Sequence, residues 1–453
     1  MPRGGGLPPI PASVSMSDEQ PSRSGTLKRA PRFSQVPPAP GWPRPEWRLL
    51  AECGPVLGVT LWQLVRDVVL WAQVPPGDRP GLFRPLADAH AVRLSQAAEE
   101  APELAEPLRE LAMMVATPGR AEAARVAEAC ERVLVWAEMR GMRETALQFA
   151  EAAARVENET PLRNHAAGRL CRRAHDFPRA GLWYRRGYRL ARRAGAEAEC
   201  AIALLGLGGL ALDQGILGEA ERNFSKAARA ALRQGRQGLA ASARHELLGV
   251  TIHAERYAEA IDHAGKAVDL YPSKHPRVPN LGYDVAFLWM RLHYFSSAIY
   301  LLDKVLPWFE NQPLRVLVLA ALARSTASVH DRIRFERMST EVLKIISAGH
   351  DRAAASLYHL AEGARYFEQW ERAEMLARQA LGEANRSRNQ SVSEAAKNLL
   401  CILPDRTQGP EDVVPDEGSE VDRITEKVLK KLARQPVPGS SGAVLFPEHY
   451  PTG

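Results

Sequence analysis

The sequence predicts an all-α fold, an α-solenoid in which helical hairpins stack into a superhelix. Three observations carry that expectation. From about residue 121 to 403, apolar residues recur at helical spacing in stretches of 12–18 residues, and no stretch alternates like a strand. Ala and Leu dominate the apolar set there, a composition that favours helix. A small residue also returns at a near-constant interval, at Ala146, Ala180, Ala220, Ala260, Ala298 and Ala373, in steps of 34, 40, 40, 38 and 75. The last step is nearly two periods, and a degenerate unit at about 331–347 is expected to fill it.

The segments follow in order. Residues 1–46 hold eleven prolines among Ser, Gly and scattered Arg. Such a segment cannot build a core and is expected to be disordered. Met16 offers an alternative start, and the first ten residues lack the apolar run of a secretory signal. Residues 47–120 are expected to form a helical segment broken at PPGDRPG, 75–81. Its most apolar stretch carries Leu61, Leu64, Val65 and Val68 on one helix face, with Gln63, Arg66 and Asp67 opposite. That pattern predicts an amphipathic core helix rather than a membrane span.

The repeats occupy 121–403, with turns at 139–142, 175–178, 213–216, 253–257 and 291–295. Residues 404–419 read as a flexible acidic linker and 436–453 as a disordered tail. Between them, 420–435 predicts a short amphipathic helix striped by Val421, Ile424, Val428 and Leu432, with basic residues at its C-terminal end. It is too short to be stable alone, so it must dock on the solenoid or on a partner.

Within the repeats, the residue four after each alanine is Ala150, Tyr184, Phe224, Ala264, Leu302 or Ala377. Seven after it stands Ala153, Gly187, Ala227, Ala267, Val305 or Ala380, on the same helix face. Twelve before it stands Gly168 in one unit and Gly208 in another. A glycine inside a helix costs up to about 1 kcal/mol against alanine, and close helix crossing would compensate.

This arrangement resembles the tetratricopeptide repeat (TPR) family, in a bacterial, longer-helix form. The clearest unit is 201–232, with Leu204, Leu207, Gly208, Ala220, Phe224 and Ala227 where that family packs its hairpin. Unit 241–272 keeps Leu247, Ala260, Ala264, Ala267 and Pro272 but has Leu248 where a small residue belongs. Unit 161–192 keeps Gly168, Ala180 and Tyr184, with Asn164 and Gly187 off pattern.

The chemistry-bearing residues point away from catalysis. Five cysteines are scattered at 53, 130, 171, 200 and 401, as free thiols of a reducing cytoplasm would be. No phosphate loop, dinucleotide motif, H-E-x-x-H or nucleophile elbow occurs, and GLGG at 206–209 lies within a helical pattern. His245, His253 and His263 lack convincing further metal ligands. No catalytic residue, cofactor or metal is expected.

The resemblance implies that the first helix of each hairpin lines a concave groove. On that basis the partner-binding residues would be His165, Arg169, Arg172 and Arg173, then His245, then Tyr283, Phe287, Met290 and Arg291, then Tyr358 and Arg365. Such a groove, basic first and aromatic later, suits an extended or helical peptide with an acidic end. The family's Lys/Asn carboxylate clamp is not reproduced. The net charge is only +6, yet residues 161–193 hold ten arginines, no lysine and one acid, Asp176. A solvated face, an anionic protein and nucleic acid are the three readings of that patch. Nucleic acid is the least favoured, because no reading module accompanies it. The function expected is a cytoplasmic protein–protein interaction scaffold or regulatory module. The alternative is a ligand- or peptide-sensing module of a bacterial regulatory system, acting on a separate effector.

Overall fold

The computed structural model describes residues 46–83, 96, 97, 99–310, 314–346, 350, 352–387 and 389–435. The expected disordered tail, 436–453, lies outside the described residues, as does the expected N-terminal segment up to residue 45. Every regular element among the described residues is helical. The described lead-in includes α1 (Glu46–Cys53), α2 (Pro55–Gln73) and α3 (Ala105–Ala116). Seven hairpins follow. They pair α4 (Ala123–Met139) with α5 (Arg143–Val156), α6 (Pro161–Arg173) with α7 (Phe177–Arg193), and α8 (Glu197–Asp213) with α9 (Leu217–Arg233). Next come α10 (Gln237–His253) with α11 (Tyr257–Leu270), and α12 (Val278–Arg291) with α13 (Phe295–Val305). The last two pair α14 (Arg315–Ser328) with α15 (Arg332–Ile346), and α16 (Ala353–Arg365) with α17 (Trp370–Arg386). Helix α18 (Gln390–Ile402) covers the last hairpin, and α19 (Glu420–Leu432) comes after it. Neighbours in sequence are neighbours in space, so the chain is an all-α solenoid of TPR-like hairpins.

One turn recurs at each hairpin. In six hairpins the residue two beyond the first helix is left-handed, Gly141, His175, Gly215, Glu255, His293 and His330, and in the last hairpin it is the third beyond, Glu368. The next amide then reaches back to the carbonyl five residues earlier, as from Met142 to Ala137 at 2.9 Å and from Ile216 to Ala211 at 2.8 Å. This satisfies a carbonyl that the helix end would leave open. Five of the seven turns do so without glycine, each against a steric cost of about 1–2 kcal/mol.

The hairpins close through pairs of complementary size. A Cβ on Gly208 would stand 2.4 Å from the Phe224 ring, and one on Gly168 would stand 2.7 Å from Tyr184. Where the first helix carries a large residue, the second carries a small one: Leu134 goes with Ala150, and Leu248 with Ala264. All four are buried. The misfit at Leu248 is therefore a size exchange. The off-pattern pair in α6 and α7 is another. Asn164 is fully buried, its amide bonded to the Thr160 carbonyl at 2.8 Å, and Gly187 leaves room for its Cβ. The degenerate unit is α15, whose fourth residue is Phe335 instead of alanine. Gly363 on α16 accommodates that ring.

Helix α2 is long and apolar enough to cross a bilayer, but half of it is buried inside the fold. Leu61, Val68 and Trp71 are fully covered, and the Trp71 indole donates to the Pro118 carbonyl at 2.8 Å. Glu52 of α1 accepts from the amides of Glu144 and Thr145, both at 2.9 Å, capping α5. The leading helices thus share one core with the first hairpins.

Candidate functional site

The arginine-rich hairpin is less unopposed than its local sequence suggests. Arg169 is buried, and both its terminal nitrogens reach Glu138 of α4, at 2.8 and 2.7 Å. Arg173 reaches the same carboxylate at 3.1 Å. Arg172 lies against Gly209 and pairs with Asp213 of α8 at 3.4 Å. Arg163 pairs with Glu131 and Glu157. Arg179 grips Glu151, which also accepts from the Trp183 indole at 2.8 Å. Apart from Glu157, these acids lie on neighbouring helices 28 to 41 residues away, beyond the reach of a local sequence window. Helix α6 therefore offers no free cationic groove. His165, at its side, packs on the Tyr184 ring with centroids 5.4 Å apart.

The further groove residues are also largely occupied. His245 is buried between Asp284, at 2.6 Å, and the Tyr271 hydroxyl, at 3.2 Å. Met290 is 1% exposed and belongs to the core, so it presents no surface to a partner. Arg291 bonds the Tyr257 hydroxyl and Glu255, both at 3.0 Å. Tyr283, Phe287 and Tyr358 are half-buried. Phe287 meets His359 edge-on, with centroids 6.1 Å apart, so α12 and α16 touch. Helix α14 is buried along its length from Val316 to Ser328. Those inner faces pack on one another.

Arg365 is buried at a site the sequence did not reveal. Its guanidinium meets Glu362 at 3.2 Å and donates to the carbonyls of Thr407, at 2.9 Å, and Gln408, at 3.1 Å. The Tyr366 hydroxyl donates to the Pro410 carbonyl at 3.0 Å. Farther along, the amide of Val413 donates to the His293 carbonyl at 2.8 Å, and Asp412 accepts from the Ser296 amide at 3.1 Å at the start of α13. A carboxylate there is favoured by the helix dipole. The segment read as a flexible linker is thus strapped along the hairpin ends. It delivers α19 onto α11, α12 and α13. Val421, Ile424, Val428 and Leu432 join the largest core, and the Trp289 indole donates to Thr425 at 3.1 Å. Lys427 pairs with Asp269 at 2.8 Å, and Lys431 donates to the Tyr271 carbonyl.

Two histidines, His359 buried and His275 half-buried, are expected to make this half acid-sensitive. Burial first, then Arg324, pushes the His359 pKa down to about 3. Burial first, then Arg277 and His245, pushes His275 down to about 4. In the unfolded chain both titrate near the usual value of about 6.5. The unfolded state therefore binds more protons as pH falls from about 6.5 toward those values, and stability is lost in that window. His359 alone should contribute a slope of about 1.4 kcal/mol per pH unit. Urea midpoints measured between about pH 7.5 and 5 should fall accordingly. In His359→Leu that fall should be clearly shallower. An unchanged slope would show that His359 is not the group responsible.

Among the described residues, no group of three His, Cys, Asp or Glu could hold a metal ion. All five cysteines are free, and burial raises the Cys130 and Cys171 thiols.

No family model matches the chain, and no curated protein matches it. Among solved structures it is similar to a Rap protein complexed with competence and sporulation factor, at 12% identity and TM-score 0.41, covering 78% of this chain and 99% of that one. It is also similar to the TPR domain of P58(IPK), at 12% identity and TM-score 0.22, covering 72% and 98%. A circular tandem repeat protein aligns at 17% identity and TM-score 0.14, covering 85% and 98%. At these scores the alignments do not bear on the site, and the description as a TPR-like solenoid rests on the chain's own helices and turns.

Proposed function

We propose that this chain is a protein-interaction module that takes a peptide or protein partner on its helical-hairpin array. One observation carries the reading: the array already holds a peptide segment, its own residues 405–435. Arg365 grips main-chain carbonyls, which selects for an extended backbone and tolerates varied side chains. The cleft over α12 then accepts an amphipathic helix. An array that binds one such segment in cis has the groups to bind a similar one in trans.

The test uses the full chain carrying Val428→Asp, which vacates the α12 cleft by expelling α19 and leaves the tethered strap to compete with added peptide for Arg365. A fluorescent peptide of residues 405–435 should bind it with micromolar affinity. Adding Arg365→Gln should weaken that binding by roughly 10-fold or more, since hydrogen bonds to a charged group are worth about 1.5–3 kcal/mol. Failure of the peptide to bind, with the helical content of the array intact, would sink the proposal.

A further inference from the structure

Residues 407–413 cross the ends of two hairpins, held largely by their main chain. Arg365 donates to the carbonyls of Thr407 and Gln408, the Tyr366 hydroxyl donates to that of Pro410, and the Val413 amide donates to the His293 carbonyl. These contacts fix the register whatever the side chains are. Within that register two positions are selective. A Cβ on Gly409 would stand 2.5 Å from the Tyr366 hydroxyl oxygen and 2.6 Å from ring atom Cε2. The ring is held in place, because Tyr366 is 5% exposed and meets Phe295 edge-on, with centroids 6.3 Å apart. Gly409 is not left-handed, so space rather than backbone conformation demands glycine there. Three residues on, Asp412 accepts from the Ser296 amide at 3.1 Å and from the Ser296 hydroxyl. Tyr294, the N-cap residue of α13, makes no side-chain cap bond, so the strap supplies the carboxylate that this helix end lacks. Gln408 reaches Glu368 at 3.1 Å at an exposed edge, and Glu411 and Val414 are exposed.

We propose that this site selects its partner by sequence: a protein segment with glycine over Tyr366 and aspartate three residues later at Ser296, leading into an amphipathic helix as Gly409 and Asp412 lead into α19. The inference rests on the chain's being an interaction module, and it names what that module selects. Tyr366 and Ser296 are the specificity-determining residues. Tyr366 excludes any side chain at the first position, since a buried ring cannot yield to a new methyl group without strain. Ser296 and the α13 N-terminus favour a carboxylate at the second. Arg365 adds affinity that any sequence can use, because it touches only carbonyls. A partner that is merely acidic satisfies one position and clashes at the other.

The test uses the full chain carrying Val428→Asp and Gly409→Val, so that both α19 and the tethered strap leave the site, and fluorescent peptides of residues 405–435. Gly409→Ala in the peptide should weaken binding about 10-fold or more. Asp412→Ala in the peptide should weaken it about 3-fold or more, as loss of a helix cap does. Glu411→Ala and Val414→Ala, at exposed positions, should change it less than about 2-fold. Residue 409 should act with opposite sign on the two sides. In the chain, Gly409→Val removes a tethered competitor and should strengthen capture of the unmodified peptide about 3-fold or more over Val428→Asp alone. Adding Tyr366→Leu to the chain removes the ring atoms that a new Cβ would meet. There the Gly409→Ala peptide should bind within about 2-fold of the unmodified one. Circular dichroism checks that the array stays helical in each chain. Equal binding of the unmodified, Gly409→Ala and Asp412→Ala peptides, or a Gly409→Ala penalty undiminished in Tyr366→Leu, would overturn the inference. If the unmodified peptide binds without these preferences, only the sequence selection falls. If the unmodified peptide does not bind at all, the interaction-module reading falls with it.

Discussion

Val428→Asp is expected to lift α19 off the solenoid. Val428 is fully buried and lies over Gly282, in the same core as Val421, Ile424 and Leu432. No cation within the cleft is placed to pair with a carboxylate at that point, since Lys427 and Lys431 reach outward to Asp269 and to the Tyr271 carbonyl. A buried, unpaired carboxylate costs more than the docked helix gains, so the helix leaves. Each of the four stripe residues gives up about 1.5–3 kcal/mol of burial, offset by the regained chain entropy of α19. The net loss expected for the C-terminal half is about 3 kcal/mol or more. A 13-residue helix released into water melts, so trypsin should cut at Lys427, Lys430 and Lys431 while the hairpins resist. Urea unfolding and limited proteolysis of the full chain measure both effects. An unchanged midpoint with α19 still protected would mean that the carboxylate is tolerated and does not lift the helix.

The sequence was informative about whatever repeats and silent about whatever crosses between repeats. Alanines at fixed intervals marked the second helices, because that position faces the hairpin partner in almost every unit. The glycines opposite Tyr184 and Phe224 marked where two helices approach closely. The unit at α15 was harder to see because Phe335 stands in the alanine's place and its compensation, Gly363, lies 28 residues on. Charge behaved the same way. Read locally, ten arginines face one acid. In space, Glu131, Glu138, Glu151 and Asp213 come from residues 28 to 41 positions away and neutralise the inward-facing ones. Arg185, Arg192 and Arg193 are exposed on the outer face of α7, the side where part of the patch was expected. The inner-helix site was the least legible part. Helical periodicity says which residues face inward, but not whether the superhelix coils tightly enough for Phe287 to meet His359. It also could not show that Arg365 would be covered by carbonyls from a strap more than 40 residues downstream.

Glu362→Gln should be the most damaging conservative change in the strap region. Glu362, Arg324 and Arg365 are 5%, 8% and 5% exposed, so three ionised groups share one water-poor site. The carboxylate bridges the two guanidiniums, 3.3 Å from Arg324 and 3.2 Å from Arg365. Neither arginine can shed its proton, so the site holds two cations on one anion. Gln keeps the shape and loses the charge. Two buried cations would then repel with nothing between them, at a cost of about 3–5 kcal/mol. Arg365 retains the Thr407 and Gln408 carbonyls, whereas Arg324 keeps only the neutral Tyr358, through its hydroxyl and its ring face 6.0 Å away. Arg324 is therefore the group left stranded. Removing it as well, in Arg324→Met/Glu362→Gln, should recover about half or more of the lost stability, since an apolar replacement carries no desolvation penalty. Urea midpoints of the single and double variants decide the matter. A single variant within about 0.5 kcal/mol of the parent, a shift typical of uninvolved surface positions, would mean that the carboxylate does not hold the cluster together.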